Sequence, residues 1–225
     1  GLELAASARL LGAEVTLLEA QARVLARVAG PQVSAFYEAV HRAQGVDLRT
    51  GVQVASVACQ DGRIVSVACD DGERLQADLV IAGVGMMPNV EVAQAAGLAD
   101  ELGIRVDELS RTRDPLIVAA GDCTVHRSLR YQRDIRLESV PNALEQARAA
   151  ASWLVGKPRP NQSVPWFWSD QYDLKLQMAG LSQGHDRCVL RGSPDSRSFC
   201  AFYLRGHTLL AVDAVNRPAE FMAVR

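Results

Sequence analysis

At 225 residues the chain can hold one large or two ordinary domains with a real core, and 48% of it is hydrophobic. Its 24 basic and 26 acidic residues leave a formal net charge of −2, which argues against nucleic acid or an anionic membrane surface as a partner. No apolar run approaches the ~20 residues that span a bilayer. The five cysteines, Cys59, Cys69, Cys123, Cys188 and Cys200, contain no Cys-x-x-Cys pair, so they read as reduced cytoplasmic thiols, with no disulfide framework, iron–sulfur site or other metal site.

From the amino end, Glu3 to Leu11 carries apolar residues at helical spacing, and Gly12 is placed to stop the helix. Glu14 to Glu19 reads as a strand closing on an acidic residue. Helix, glycine, strand and then Glu form the second half of a mononucleotide-binding βαβ unit, in which Glu19 accepts hydrogen bonds from ribose hydroxyls. A 2′-phosphate there would meet a like charge, which favours NADH over NADPH, although Arg23 and Arg27 follow closely and weaken the discrimination. Val33 to Ala43 is a second helix, stopped by Gly45. From Val46 the period changes to two, and Asp61-Gly62 and Asp71-Gly72 fall at hairpin positions, which predicts a β-meander. Leu79 to Ala82 is expected to be the last strand of this nucleotide domain, and Gly83-Val84-Gly85 the turn after it, bare enough for a flat ligand.

Residues 98–114 are polar and turn-rich, with Ile104 to Asp107 a short strand. The apolar run at residues 116–120 has the length and branching of a buried strand, and Gly121-Asp122 follows where open α/β sheets bind ligands. His126 to Arg136 is a basic run that reads as a solvated loop, or as a surface that meets an acidic protein. Ser139-Val140-Pro141 then opens a helix from Asn142 to Trp153; proline suits the first turn, and the free amides behind it attract an electron-rich group. Turn formers at residues 155–161 mark a boundary. Beyond it, PWFWSDQYD leads into strands at residues 174–180, 187–191, 198–204 and 208–215.

AAGDCT followed by ESVPNALEQARAA resembles the FAD-binding signature of the flavin-dependent ferredoxin reductases that serve cytochrome P450 and Rieske oxygenase systems. The resemblance implies an α/β, two-nucleotide-binding (Rossmann-like) flavoprotein fold with a small β-rich C-terminal domain. Its segments would be an NAD-binding part (residues 1–88), the C-terminal part of an FAD-binding domain (89–158) and an interface domain (159–225). It also implies that the chain is truncated at both ends, since Gly1-Leu2-Glu3 resembles the close of a Gly-rich dinucleotide turn.

On this resemblance FAD would be held by Gly121, Asp122, Ser139, Val140, Pro141 and Trp168, and NAD(H) by Gly1, Glu3, Glu19, Gly83, Val84 and Gly85. Trp168 would cover the ring stack, with Trp166 in the core, although clustered aromatics also serve plain packing. Glu3 would reach the nicotinamide carboxamide, although an acid in a first helical turn is also favoured by the helix dipole. The implied reaction passes electrons from NADH through FAD to a [2Fe–2S] ferredoxin and needs no side-chain acid, base or nucleophile, because the cofactor carries the chemistry. Two other readings stay open: a fragment without activity, and an NADH-sensing flavoprotein module.

Overall fold

The computed structural model describes residues 1–225. In chain order the first elements are α1 (Leu2–Leu10), β1 (Thr16–Glu19), α2 (Pro31–Ala43), β2 (Asp47–Thr50), β3 (Val54–Gln60), β4 (Arg63–Cys69) and β5 (Arg74–Gln76). Then come α3 (Glu91–Ala95), β6 (Ala99–Asp100), β7 (Gly103–Val106), β8 (Thr124–Ser128), β9 (Arg133–Ile135) and α4 (Val140–Leu154). The last are β10 (Trp166–Gln171), β11 (Leu174–Gly180), β12 (Arg187–Ser193), β13 (Ser198–Arg205), β14 (Thr208–Val215) and α5 (Pro218–Val224). They gather into two compact units, residues 1–84 with 168–224, and residues 85–167 with Arg225.

In the first unit β1 and β2 run parallel, from Thr16 opposite Asp47 to Glu19 opposite Thr50, with α2 as the crossover between them. Their apolar faces pack with Leu2 of α1 and Val24 in a small buried cluster that includes Val46 and Leu48. The other face of the unit is a five-stranded antiparallel sheet in the order β10-β11-β14-β13-β12. Helix α2 closes onto it: Phe36 meets Phe199 of β13 edge to face at 5.1 Å, and Tyr37 and Val33 are fully buried. A separate three-stranded meander, β3-β4-β5, turns between its first two strands on Asp61 and Gly62. Both turn residues have positive φ, the two-residue turn whose twist matches a hairpin.

The second unit holds the four-stranded sheet β6-β7-β8-β9, in which β7 and β8 are parallel, together with α4. Ser139 caps α4 by accepting the Asn142 amide at 3.3 Å, and Pro141 occupies the first turn.

Several expectations are corrected. Leu79 to Ala82 forms no ladder and Leu79 and Ile81 are exposed, because an apolar run becomes a strand only where a neighbour offers paired amides and carbonyls. Residues 116–120 likewise form no strand: they fold back on residues 110–112 with a single bridge, Arg111 to Val118, and Leu116 is 86% exposed. Asp47 to Thr50 belongs to the parallel pair with β1, and not to the meander. The basic run is no loop but the hairpin of β8 and β9. Asp134 there pairs with Arg105 and Arg127, and Glu138 with Arg136 at 2.9 Å, so much of the positive charge is already met. Helices α3 and α5 carry no sequence signal strong enough to announce them; α5 exists because Phe221 is buried against β11 and β14.

Candidate functional site

In the second unit Gly121 and Asp122 form a turn packed on the opening of α4, where a Cβ on Gly121 would lie 3.8 Å from Ala143 Cβ. Gly121 has φ +94°, a conformation that side chains other than glycine rarely adopt, so the turn depends on this residue. Gln146, almost wholly buried on α4, holds the turn. Its Oε1 accepts the Gly121 amide at 2.8 Å, the Thr124 hydroxyl at 2.9 Å and Asn142 Nδ2 at 3.2 Å. Asn142 and Gln146, one helical turn apart, therefore tie Gly121 to α4, with Asn142 Nδ2 also reaching the Leu137 carbonyl. The sequence reading missed both; their i, i+4 spacing in SVPNALEQ is the signal that would have found them. The Asp122 carboxylate takes no hydrogen bond from the chain and is half-buried, while Val140 at the start of α4 is exposed. An anion-attracting helix end and an unpartnered carboxylate beside a bare backbone turn can hold a ligand that carries both hydroxyl groups and an electron-rich ring.

In the first unit Gly1, Glu3 and Gly83, three of the expected nucleotide residues, lie at the amino end of α1. Gly1 caps the helix without a side chain, and Glu3 lies in its first turn. Gly83 lies close by, since a Cβ on it would sit 3.8 Å from the Gly1 nitrogen. Val84 after it is 96% exposed, and Gly85 continues the turn with φ +106°. Glu19 ends β1, the strand end at which open α/β sheets bind ligands, and its Oε1 accepts the Gln21 amide at 2.8 Å.

Arg23 is turned away from this surface. Its guanidinium donates to the Ala29 carbonyl at 2.8 Å, to Ser34 Oγ at 2.6 Å and to the Ala26 carbonyl at 3.2 Å, closing the loop that follows β1. Arg27 is the exposed one of the pair.

Strand β10 comes alongside α1, and Ser169 donates to Glu3 Oε1 at 2.6 Å. Trp168, the neighbour of Ser169 on this strand, is 46% exposed. Trp166 is half-buried and lies under the Arg225 guanidinium, 4.3 Å from the ring centre, so it is not a core residue as expected.

The first unit thus carries a parallel β–α–β pair with a helix amino end and a five-stranded sheet, and the second a Gly-Asp turn locked to a capped helix, the elements of Rossmann-like nucleotide binding with a β-rich C-terminal part. The chain belongs to the pyridine nucleotide-disulphide oxidoreductase family, whose model matches residues 1–147, and residues 166–225 match the reductase C-terminal model. It is 54% identical to putidaredoxin reductase of Pseudomonas putida over 98% of this chain and 53% of that protein. It is 45% identical to a 5,5′-dehydrodivanillate O-demethylase ferredoxin reductase subunit of a Sphingobium species, over 100% of this chain and 55% of that protein. Among solved structures it superposes on the covalent putidaredoxin reductase–putidaredoxin complex with a TM-score of 0.95 and 53% identity, over 99% of this chain and 54% of that one. The chain thus spans about half the length of the relatives it matches.

Proposed function

We propose that this chain supplies the NADH-binding face and part of the FAD site of a reductase that feeds a [2Fe–2S] ferredoxin serving a cytochrome P450 or Rieske oxygenase. The observation that carries this reading is the Gly121-Asp122 turn, locked by Gln146 against α4 with its carboxylate unpartnered. Relatives of this sequence are named putidaredoxin reductase and a demethylase ferredoxin reductase subunit, and a putidaredoxin reductase has been captured covalently on putidaredoxin.

The residues present fit the two nucleotides. Asp122 would accept hydroxyl hydrogens of the FAD ribityl chain, Gly121 leaves room for it, and the exposed start of α4 at Ser139, Val140 and Pro141 would face the electron-rich side of the flavin. Gly1, Gly83, Val84 and Gly85 would border NADH, with Glu19 on the adenosine ribose and Glu3 on the nicotinamide carboxamide. Trp168 would shield the rings from water. When bound, FAD takes two electrons from NADH and releases them singly. Segments 1–88, 89–158 and 159–225 would then serve NAD binding, FAD binding and ring cover.

NADH is favoured over NADPH because Glu19 presents a carboxylate to a 2′-phosphate while Arg23 is committed to its loop. We place the activity in the cytoplasm: all five cysteines are free, and burial pushes the Cys188 and Cys200 thiols up, which makes them poor nucleophiles for disulfide exchange. No helix is long and apolar enough to cross a membrane.

The test is the visible spectrum of the complete protein that contains this chain. A flavin band that NADH bleaches and a [2Fe–2S] protein restores supports the reading, and loss of the band in Asp122→Ala assigns the turn. A colourless protein that takes up no added FAD overturns it.

A further inference from the structure

We propose that Ser169, Gln171 and His41 form a positioning chain that aims the Glu3 carboxylate at the nicotinamide carboxamide, an inference that rests on the nucleotide reading of Glu3 given above. The residues come from three elements, β10, α2 and α1, joined by continuous hydrogen bonds. Tyr172 Oη lies 3.3 Å from His41 Nδ1, His41 Nε2 lies 2.9 Å from Gln171 Oε1, Gln171 Nε2 donates to Ser169 Oγ at 2.9 Å, and Ser169 donates to Glu3 at 2.6 Å.

Elementary donor counting gives the chain a direction. An ionised carboxylate only accepts, so the single hydroxyl hydrogen of Ser169 goes to Glu3, and Ser169 must accept from the Gln171 amide. The Gln171 oxygen then faces His41 Nε2, which carries the hydrogen, and Nδ1 is left to accept the Tyr172 hydroxyl. Every hydrogen points toward Glu3, and chains of this kind polarise one another. The chain meets one Glu3 oxygen, Oε1, and leaves Oε2 to receive an amide hydrogen from a ligand.

The inner and the outer links of the chain differ in their setting. His41 and Gln171 are buried and satisfy each other, so the inner links answer to desolvation. The outer link from Ser169 to Glu3 is exposed, where a hydrogen bond adds little net stability, so its effect falls on where the carboxylate points. Tyr172, moreover, sits at φ +57°, uncommon for a bulky residue, in the turn between β10 and β11. Its ring lies 5.1 Å from that of His41, so the strained turn delivers the hydroxyl that completes the chain. The same strand carries Trp168 next to Ser169, which sets the aromatic cover and the carboxylate by one piece of backbone.

The experiment compares binding of NAD+ and of ADP-ribose, which lacks nicotinamide, to the complete FAD-loaded protein by calorimetry. Ser169→Ala is expected to weaken NAD+ about three- to tenfold, the range of one hydrogen bond, and to leave ADP-ribose unchanged. Ser169→Thr, which keeps the hydroxyl, restores NAD+ binding, and Ser169→Ala adds nothing in a Glu3→Ala background. Equal losses for both ligands, additive losses in the double variant, or a Ser169→Ala protein that binds NAD+ normally while Glu3→Ala does not, would overturn the positioning chain alone. A Glu3→Ala protein that binds NAD+ as tightly as the parent would overturn the reading of Glu3 beneath it.

Discussion

The Tyr203 hydroxyl donates to the buried Asp213 carboxylate at 2.6 Å, across adjacent strands of the C-terminal sheet, and accepts the Gly30 amide at 2.9 Å. Burial pushes Asp213 up to about 7 from its ordinary 3.8, against the opposing pull of the Tyr203 hydrogen bond. The folded chain therefore holds a proton that the unfolded chain releases near pH 4. Stability from this group is fully present below about pH 4 and is lost as pH rises through about 7. Burial lowers His41 below its ordinary 6.5, so His41 acts in the opposite sense, removing stability as pH falls. Asp213→Asn should flatten the decline in melting temperature between pH 4 and 7 relative to the parent. Parallel slopes in the two proteins would show that Asp213 does not titrate in this window.

Gly30 is small for a reason of space. A Cβ there would lie 2.5 Å from Tyr203 Cε1 and 2.7 Å from its oxygen, and the ring is fully buried. Gly30→Ala should cost about 1–3 kcal/mol in urea unfolding, the usual penalty of overpacking. It should also weaken the Tyr203–Asp213 bond, which shows as a change in the same pH slope.

Gln146→Ala leaves the Gly121 amide without its acceptor, while Thr124 keeps the Gly121 carbonyl and Asn142 the Leu137 carbonyl. Buried donors without partners cost about 1–3 kcal/mol. We expect lower stability together with weaker retention of FAD, measured as flavin per polypeptide after dialysis. Normal flavin content at reduced stability would separate Gln146 from the turn it contacts.

Arg23→Ala should destabilise the loop after β1, because its guanidinium satisfies the Ala26 and Ala29 carbonyls and Ser34. The NADH-to-NADPH preference should stay unchanged in this variant. Glu19→Ser, by contrast, should narrow that preference several-fold by removing one like charge. Steady-state kinetics with both nucleotides reads the two effects apart.

Trp168→Ala should cost no more than about 1–2 kcal/mol in urea unfolding, because nearly half of the side chain stays exposed. Its effect should fall on NADH turnover. A large stability loss would make Trp168 a packing residue.

Local chemistry made most of the elements legible. Helical spacing ahead of Gly12 and Gly45, alternation around Asp61-Gly62 and the strands after residue 164 depend on neighbours within a few positions, so the sequence by itself determined α1, α2, the β3–β5 meander and the individual C-terminal strands, but not their order in the sheet. The Pro-led, serine-capped start of α4 was readable for the same reason. What only the tertiary structure decided depends on partners far along the chain. The apolar runs at residues 79–82 and 116–120 have strand composition but no ladder, because β-structure forms where a second backbone supplies the missing hydrogen bonds. Arg23, adjacent to the nucleotide surface in sequence, turns inward onto its own loop. The bond from Ser169 to Glu3, and the pairing of His41 with Gln171, join residues more than a hundred positions apart. No periodicity encodes such contacts: the inner pair exists because burial obliges each polar group to find a partner, and the exposed outer bond because the folded chain lays β10 alongside α1.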